Sequence, residues 1–228
     1  MKKHMKRLSS PKTWPIQRKT TKFILRPNPG AHSFEDSMTL LTILTEVLKV
    51  AKDRREAEKI LQQGQVIVDG IVRSEKKFSV GLMDTLTLAA SGENYRILLD
   101  KKGKLYFKKI TKEEAEIKPC KIIDKKVLKG NKIQLNLFDG RNLIVKDNKF
   151  KPGDTVLISK GEIKKHLSFS KGATVYFIGG TNIGEFGTVE EIIEFPGSLP
   201  SKIMIKSGKQ KMEGLKGQLV VVEESIVK

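Results

Sequence analysis

The chain has 228 residues with 44 Lys and Arg against 26 Asp and Glu, a net charge of +18 whose self-repulsion a polyanionic partner relieves. Only 38% of residues are hydrophobic and 6% aromatic, which favours small modules over one deep core; the lone Cys120 excludes a disulfide framework or a cysteine metal cluster, and His4, His32 and His166 lack metal-ligand spacing. No apolar run reaches the roughly 18–20 residues of a membrane span and none follows the basic N-terminus, so an intracellular, soluble protein without a secretory signal is expected.

Residues 1–34 hold nine cations and no acid: Lys2, Lys3, Lys6, Arg7, Lys12, Arg18, Lys19, Lys22 and Arg26. An acid-free stretch of this kind, here most of a basic arm over 1–36, is a common way to bind nucleic acid. The same composition suits a disordered tail or an organelle-targeting peptide, although Pro11, Pro15, Pro27 and Pro29 fit poorly in an amphipathic targeting helix. Trp14 and Phe23 interrupt the cations. They either stack on unpaired bases or pack the arm onto its own domain.

From Leu40 the pattern turns helical. Leu40, Leu41, Leu44, Val47, Leu48 and Ala51 recur at spacings that make one apolar stripe. A second helix begins at Asp53, which caps it while Glu56 completes a capping-box-like pair. Ala57, Ile60 and Leu61 form its buried stripe, and Gly64 ends it. Residues 65–68, the dipeptide Asp69-Gly70 and residues 71–73 then predict a hairpin. Arg55 and Lys59 share a helix face at a cost of about 0.2–0.5 kcal/mol, which a bound phosphate turns into a gain. Simple solvation also accounts for them, with Arg54 answered by Glu58.

The run 53–61, the segment 64–70 and Val80-Gly81-Leu82-Met83-Asp84 together resemble the S-four RNA-binding domain, also called the alpha-L motif. The resemblance implies two helices and a small sheet over 37–92 that present basic helix residues to structured RNA. By match of position it implies Arg54, Arg55 and Lys59 at RNA phosphates, with Arg73 nearby.

Residues 95–175 carry 21 Lys and Arg against nine acids, whereas 35–94 carry eight against ten. Strands are expected at 95–99, 105–107, 121–128, 132–138, 143–145 and 155–158, with a short helix started by a Thr111–Glu114 capping box. Short strands at this spacing suggest a small barrel or sandwich over 93–168. Gly81, Gly153 and Gly172 each stand just before a strand, which reflects shared turn chemistry.

The glycine-rich stretch 179–189 lacks the Gly-Lys-Ser/Thr ending of a phosphate loop and precedes a strand, so that reading is rejected. With residues 172–175 before it, the stretch resembles a KOW motif, the turn of a small SH3-like barrel, here over 169–228. Its glycines then serve tight turns and positive φ. Residues 176–200 hold four Glu and no Lys or Arg, and Glu185 stands where a cation is expected. The loop therefore meets a protein surface, or RNA through its backbone alone.

Arm, alpha-L domain, basic β domain and KOW module in this order resemble the small-subunit ribosomal protein family S-four-e of archaea and eukaryotes. The short end at Lys228 fits the archaeal form. The fold class expected is α+β and multi-domain. The family implies a structural constituent of the small ribosomal subunit, in the cytoplasm, that binds rRNA and neighbouring ribosomal proteins. It implies no cofactor, no metal, no membrane, no small-molecule substrate and no catalysis. The expected RNA-binding residues are the nine arm cations, Trp14, Arg54, Arg55, Lys59 and Arg73. One alternative is an alpha-L domain fused to an rRNA-modifying enzyme of pseudouridine synthase or methyltransferase type. Asp139 is its catalytic candidate by residue type, against a role in a hairpin turn. Another is a KOW-containing transcription-elongation accessory factor, which leaves the alpha-L hairpin unexplained.

Overall fold

Glycine turns set most of the strand pairings. In the computed structural model, which describes residues 4–130, 132–159, 161–195, 200–208 and 210–227, Asp69 and Gly70 have φ of 50° and 77°. Two successive positive φ values match the right-handed twist of flanking strands. The expected hairpin follows, pairing Ile67 with Val72 and Val68 with Ile71. The chain divides into two units. The first runs to Leu98 and includes Lys104–Lys118; the second comprises Leu99–Gly103 and everything from Pro119 onward.

The sheet of the first unit is antiparallel, in the spatial order Ile71–Val72, Val66–Val68, Thr85–Leu88, Glu93–Leu99, Leu105–Ile110. The sequence reading divides the chain at 92/93, but Thr85–Leu88 pairs with Glu93–Leu99 across that point. Composition changes there, whereas hydrogen bonding does not. A two-stranded sheet joins Ser37–Thr39 to Ser79–Gly81. Met38, Leu40, Ile43, Leu44, Ala57, Leu61, Val66, Leu86 and Ile97 are buried to 1% exposure or less, so both helices face a shared core.

The helical hairpin differs from the expected pair in two respects. Helix Leu40–Thr42 passes directly into a π-helical turn, Ile43–Val47, closed by Leu48 N–H to Ile43 O at 2.9 Å. The extra residue per turn moves Val47 and Leu48 to half-buried positions, off the stripe expected from 3.6-residue spacing. Helix Arg54–Gln62 starts after Asp53, whose carboxylate makes no capping bond, and Glu56 instead accepts from Lys52 N–H at 2.7 Å. Gly64, at φ 70°, ends this helix as expected. The capping box of Thr111 and Glu114 forms in full on helix Lys112–Ala115.

The second unit holds two five-stranded sheets. One has the order Asn142–Val145, Ile133–Leu137, Lys118–Val127, Thr155–Ser159, Glu162–Leu167, with Ile122, Leu135, Val156 and Ile158 in its core. The other has the order Gln210–Leu215, Lys202–Ser207, Phe186–Ile193, Thr174–Phe177, Leu219–Val221. Its core is Val175, Phe177, Val189, Ile203, Ile205 and Leu219, the inward positions of alternating strands. Lys121 joins these two cores by donating to Lys216 O and Gly217 O, both at 2.9 Å, and burial beside Lys216 pulls its ammonium down to about 8.

Tyr176 ties the Leu99–Gly103 turn into the same unit. Its hydroxyl donates to Leu99 O at 2.7 Å and accepts from Leu99 N–H at 2.8 Å. Burial pushes the phenol up to about 12 from 10.0. The folded state therefore holds the proton more tightly than the unfolded chain. The resulting stabilisation is complete below pH 10 and is lost as pH rises toward about 12. Tyr176→Phe leaves both Leu99 groups unpaired and should cost about 1–3 kcal/mol in urea unfolding at neutral pH. The difference from the parent should shrink above pH 10, and equal stability of the two proteins at pH 7 would refute this role.

Candidate nucleic-acid interface

The basic arm is not a free tail over its described residues. Met5–Lys6 pairs with Phe23–Ile24, so the arm folds back on itself. Trp14 is 1% exposed, and its indole N–H donates to Ser37 O at 2.7 Å. Of the two roles open to Trp14, packing is the one the structure shows; a buried indole offers no face to a base. Arg7 is buried as well. Its buried guanidinium donates to Gln17 O at 2.5 Å, to Thr21 at 3.1 Å and to both oxygens of Glu46. Such a pair is satisfied inside the protein.

The other arm cations divide by exposure. Lys6, Lys12, Lys19 and Lys22 are exposed. Arg18 is half-buried and donates to Leu8 O at 3.3 Å and Pro11 O at 2.9 Å, and Arg26 lies 5.6 Å from the Phe34 ring centre. Lys2 and Lys3 lie outside the described residues.

Helix Arg54–Gln62 buries Ala57 and Leu61 and turns Arg54, Arg55 and Lys59 outward. Arg54 reaches Glu58 at 2.8 Å, and Lys76 reaches the same oxygen at 3.0 Å. Hydrogen bonds from Arg54 and Lys76 hold the Glu58 carboxyl below its usual range. Among the described residues, no ion pair involves Arg55 or Lys59. Arg73 is half-buried, with its guanidinium 4.5 Å from the Phe78 ring centre. The sequence reading passed over Lys76 and Lys77. Leu41 N–H bonds Lys76 O at 3.2 Å, which brings both lysines beside the first helix. The signal was the adjacent pair itself, three residues beyond Arg73.

A buried polar cluster anchors the arm. Both Asp84 oxygens lie 2.9 Å from His32 Nε2, one accepts from Gly81 N–H at 2.9 Å, and one accepts from Lys118. The Lys118 ammonium also reaches Asp69 at 2.6 Å. Burial alone would raise Asp84, but Lys118 and His32 overcome that and hold it far below the usual carboxylate range. Asp69 moves the other way, pushed up by burial and by the Asp84 charge. The His32 ring packs so closely on Gly81 that a Cβ there would sit 2.4 Å from it.

Two further candidates resolve inside the second unit. Asp139 is 3% exposed, accepts from Arg141 N–H at 3.1 Å and contacts Cys120 Sγ at 3.5 Å, the contacts of a hairpin-turn residue. Glu185 pairs with Lys101 at 3.2 Å, and a Cβ on Gly184 would fall 2.6 Å from the Asp100 carbonyl carbon. The acidic glycine loop therefore meets the Leu99–Gly103 turn of its own chain, and Gly184 permits that approach. Among the described residues, no helix is long and apolar enough to cross a membrane.

Taken together, the outward cations, the helical hairpin and the mostly β architecture define a modular RNA-binding protein of the S4-domain class. Family models match along the sequence: the RS4NT (NUC023) domain at residues 1–35, the S4 domain at 38–86 and ribosomal family S4e at 91–164. The small ribosomal subunit protein eS4 of Methanocaldococcus jannaschii is 43% identical, with 100% of this chain and 97% of that protein covered. The eS4 protein of Methanocella arvoryzae is 39% identical over 96% of this chain and 93% of its own. The crystal structure of the 30S ribosomal protein S4e from Thermoplasma acidophilum matches with TM-score 0.72 at 33% identity, covering 82% of this chain and 95% of that one. The chain belongs to the ribosomal S4e family.

The buried cluster makes a direct prediction. Lys118→Met leaves two buried carboxylates without their shared cation and should destabilise the protein by about 3–5 kcal/mol. Acidification toward pH 5 should recover part of the loss, because Asp69, already pushed up by burial and now without the opposing Lys118, can then take up a proton. Chemical denaturation at both pH values measures it, and a pH-independent loss would contradict the electrostatic origin.

Proposed function

We propose that this protein is a structural constituent of the small ribosomal subunit that binds small-subunit rRNA and supports subunit assembly and translation in the cytoplasm. The full-length identity with eS4 proteins is the observation that carries this reading. The charge map supports it and divides the labour. The exposed lysines of the arm (1–36) and of the basic centre (93–168), among them Lys12, Lys19, Lys126, Lys129, Lys132, Lys146 and Lys164, neutralise phosphates and release condensed counterions. Arg54, Arg55 and Lys59 on the S4-type module (37–92) read the shape of a folded RNA through its backbone. The C-terminal sheet, read as a KOW-type SH3-like module over 169–228, meets a neighbouring ribosomal protein, or RNA through its backbone alone.

Sucrose-gradient sedimentation of cell extracts should find the protein at one copy per mature small subunit. Absence from those fractions would reject the assignment. In filter binding, affinity for small-subunit rRNA fragments should fall at least about a thousandfold between about 50 and 200 mM salt if six or more phosphates are contacted. Replacing Arg54, Arg55 and Lys59 together with alanine should lower the salt slope by about one per lost phosphate contact while the melting temperature holds. An unchanged slope would make that helix a scaffold only.

A further inference from the structure

Phe23 and Trp14 have opposite fates, and the difference points to a site. Trp14 is buried, whereas Phe23 remains 49% exposed although it sits in a paired strand. It borders a cavity of about 470 Å³ between the arm and the helical hairpin, within the first unit. His4 stands nearly perpendicular to the Phe23 ring, with centroids 5.7 Å apart at 84°, and Lys22 Nζ lies 5.6 Å from the ring centre. The cavity walls include Arg54, Lys76 and Lys77. Its one lining carboxylate, Glu46, is matched by Arg7, and nearby Glu58 is shared by Arg54 and Lys76. Among the described residues, Lys22 and Lys77 have no carboxylate partner. The space is thus open, net positive and floored by an aromatic ring.

We infer that this cavity receives one unpaired nucleotide of a bound RNA, its base stacked on Phe23 and its flanking phosphates held by Lys22, Arg54 and Lys77. The volume lies in the range of about 300–1,000 Å³ typical of small-ligand sites, which accommodates one nucleotide. An aromatic face beside cations is the usual platform for a base outside a helix, because every base has a π-face and every nucleotide a charge. An apolar protein side chain would use the ring but would leave the surrounding cations without a counter-charge. The inference rests on the RNA-binding reading and adds a ligand class and a place to it.

The test uses the full-length protein and two short RNA hairpins, one fully paired and one carrying a single bulged 2-aminopurine. Stacking on Phe23 should quench the bulge fluorescence on binding, and Phe23→Tyr should keep the quench. Phe23→Ala should abolish it and weaken the bulged hairpin about tenfold or more, with the paired hairpin and the thermal melt unchanged. Equal binding of the bulged hairpin by parent and Phe23→Ala protein would overturn the pocket while leaving the RNA-binding reading intact. So would loss of Phe23→Ala protein from small subunits without any change in RNA affinity, since that assigns the ring to a protein neighbour. If the parent protein bound neither hairpin at low salt, the broader RNA-binding reading would fail instead.

Discussion

A buried carboxylate is tolerable only when its oxygens are filled, and Asp84 is filled from three distant parts of the chain. His32 comes from the arm, Gly81 N–H from the small sheet, and Lys118 from the strand that leaves the first unit. Asp69 shares Lys118 and accepts from Thr85 N–H at 3.0 Å, so the Asp-Gly hairpin joins the same cluster. Removing any contributor leaves charge in a poorly polarisable interior. This one requirement couples the position of the arm to the integrity of the helical hairpin's sheet.

The cations of the protein therefore work in two separate populations. Arg7, Arg96, Lys118 and Lys121 are buried, and each is bonded to carboxylates or to backbone carbonyls; Arg96, for example, donates to Glu114 O and Ile117 O. These residues hold the fold and contribute little to the outward field. Arg55, Lys59 and the lysines of the arm and centre lie at the surface. A net charge of +18 is thus no direct measure of either stability or binding, because internal and external charges answer to different partners.

What the sequence discloses follows the range of the interaction. Asp69-Gly70, Gly64 and the Thr111–Glu114 box obey rules written over two to four residues, and each forms as read. The π-turn at Ile43–Val47 escaped because hydrophobic spacing does not record which carbonyl an N–H selects. Trp14 and Phe23 look alike in a basic context, and only the tertiary bond from Trp14 to Ser37 O marks the buried one. Glu185 seemed anomalous because its partner Lys101 stands 84 positions away. The strand pairing across 92/93 went unread for the same reason. A change in composition marks where chemistry shifts, not where strands stop pairing. Within the candidate interface, the helix cations could be read directly, whereas Lys76 and Lys77 required the tertiary fold.

The folded-back arm alters how this protein meets a polyanion. A loose basic tail adapts to almost any nucleic acid and loses much of its freedom each time it does so. Here Trp14, Arg7 and His32 fasten the segment to its own domain by contacts that use no exposed cation. Its surface lysines are consequently displayed as a fixed contour. Under the proposed RNA-binding role, such a contour discriminates by fit: RNA of matching relief would dock with little rearrangement, and RNA of any other relief would be held only by diffuse attraction that ordinary cellular salt dissolves.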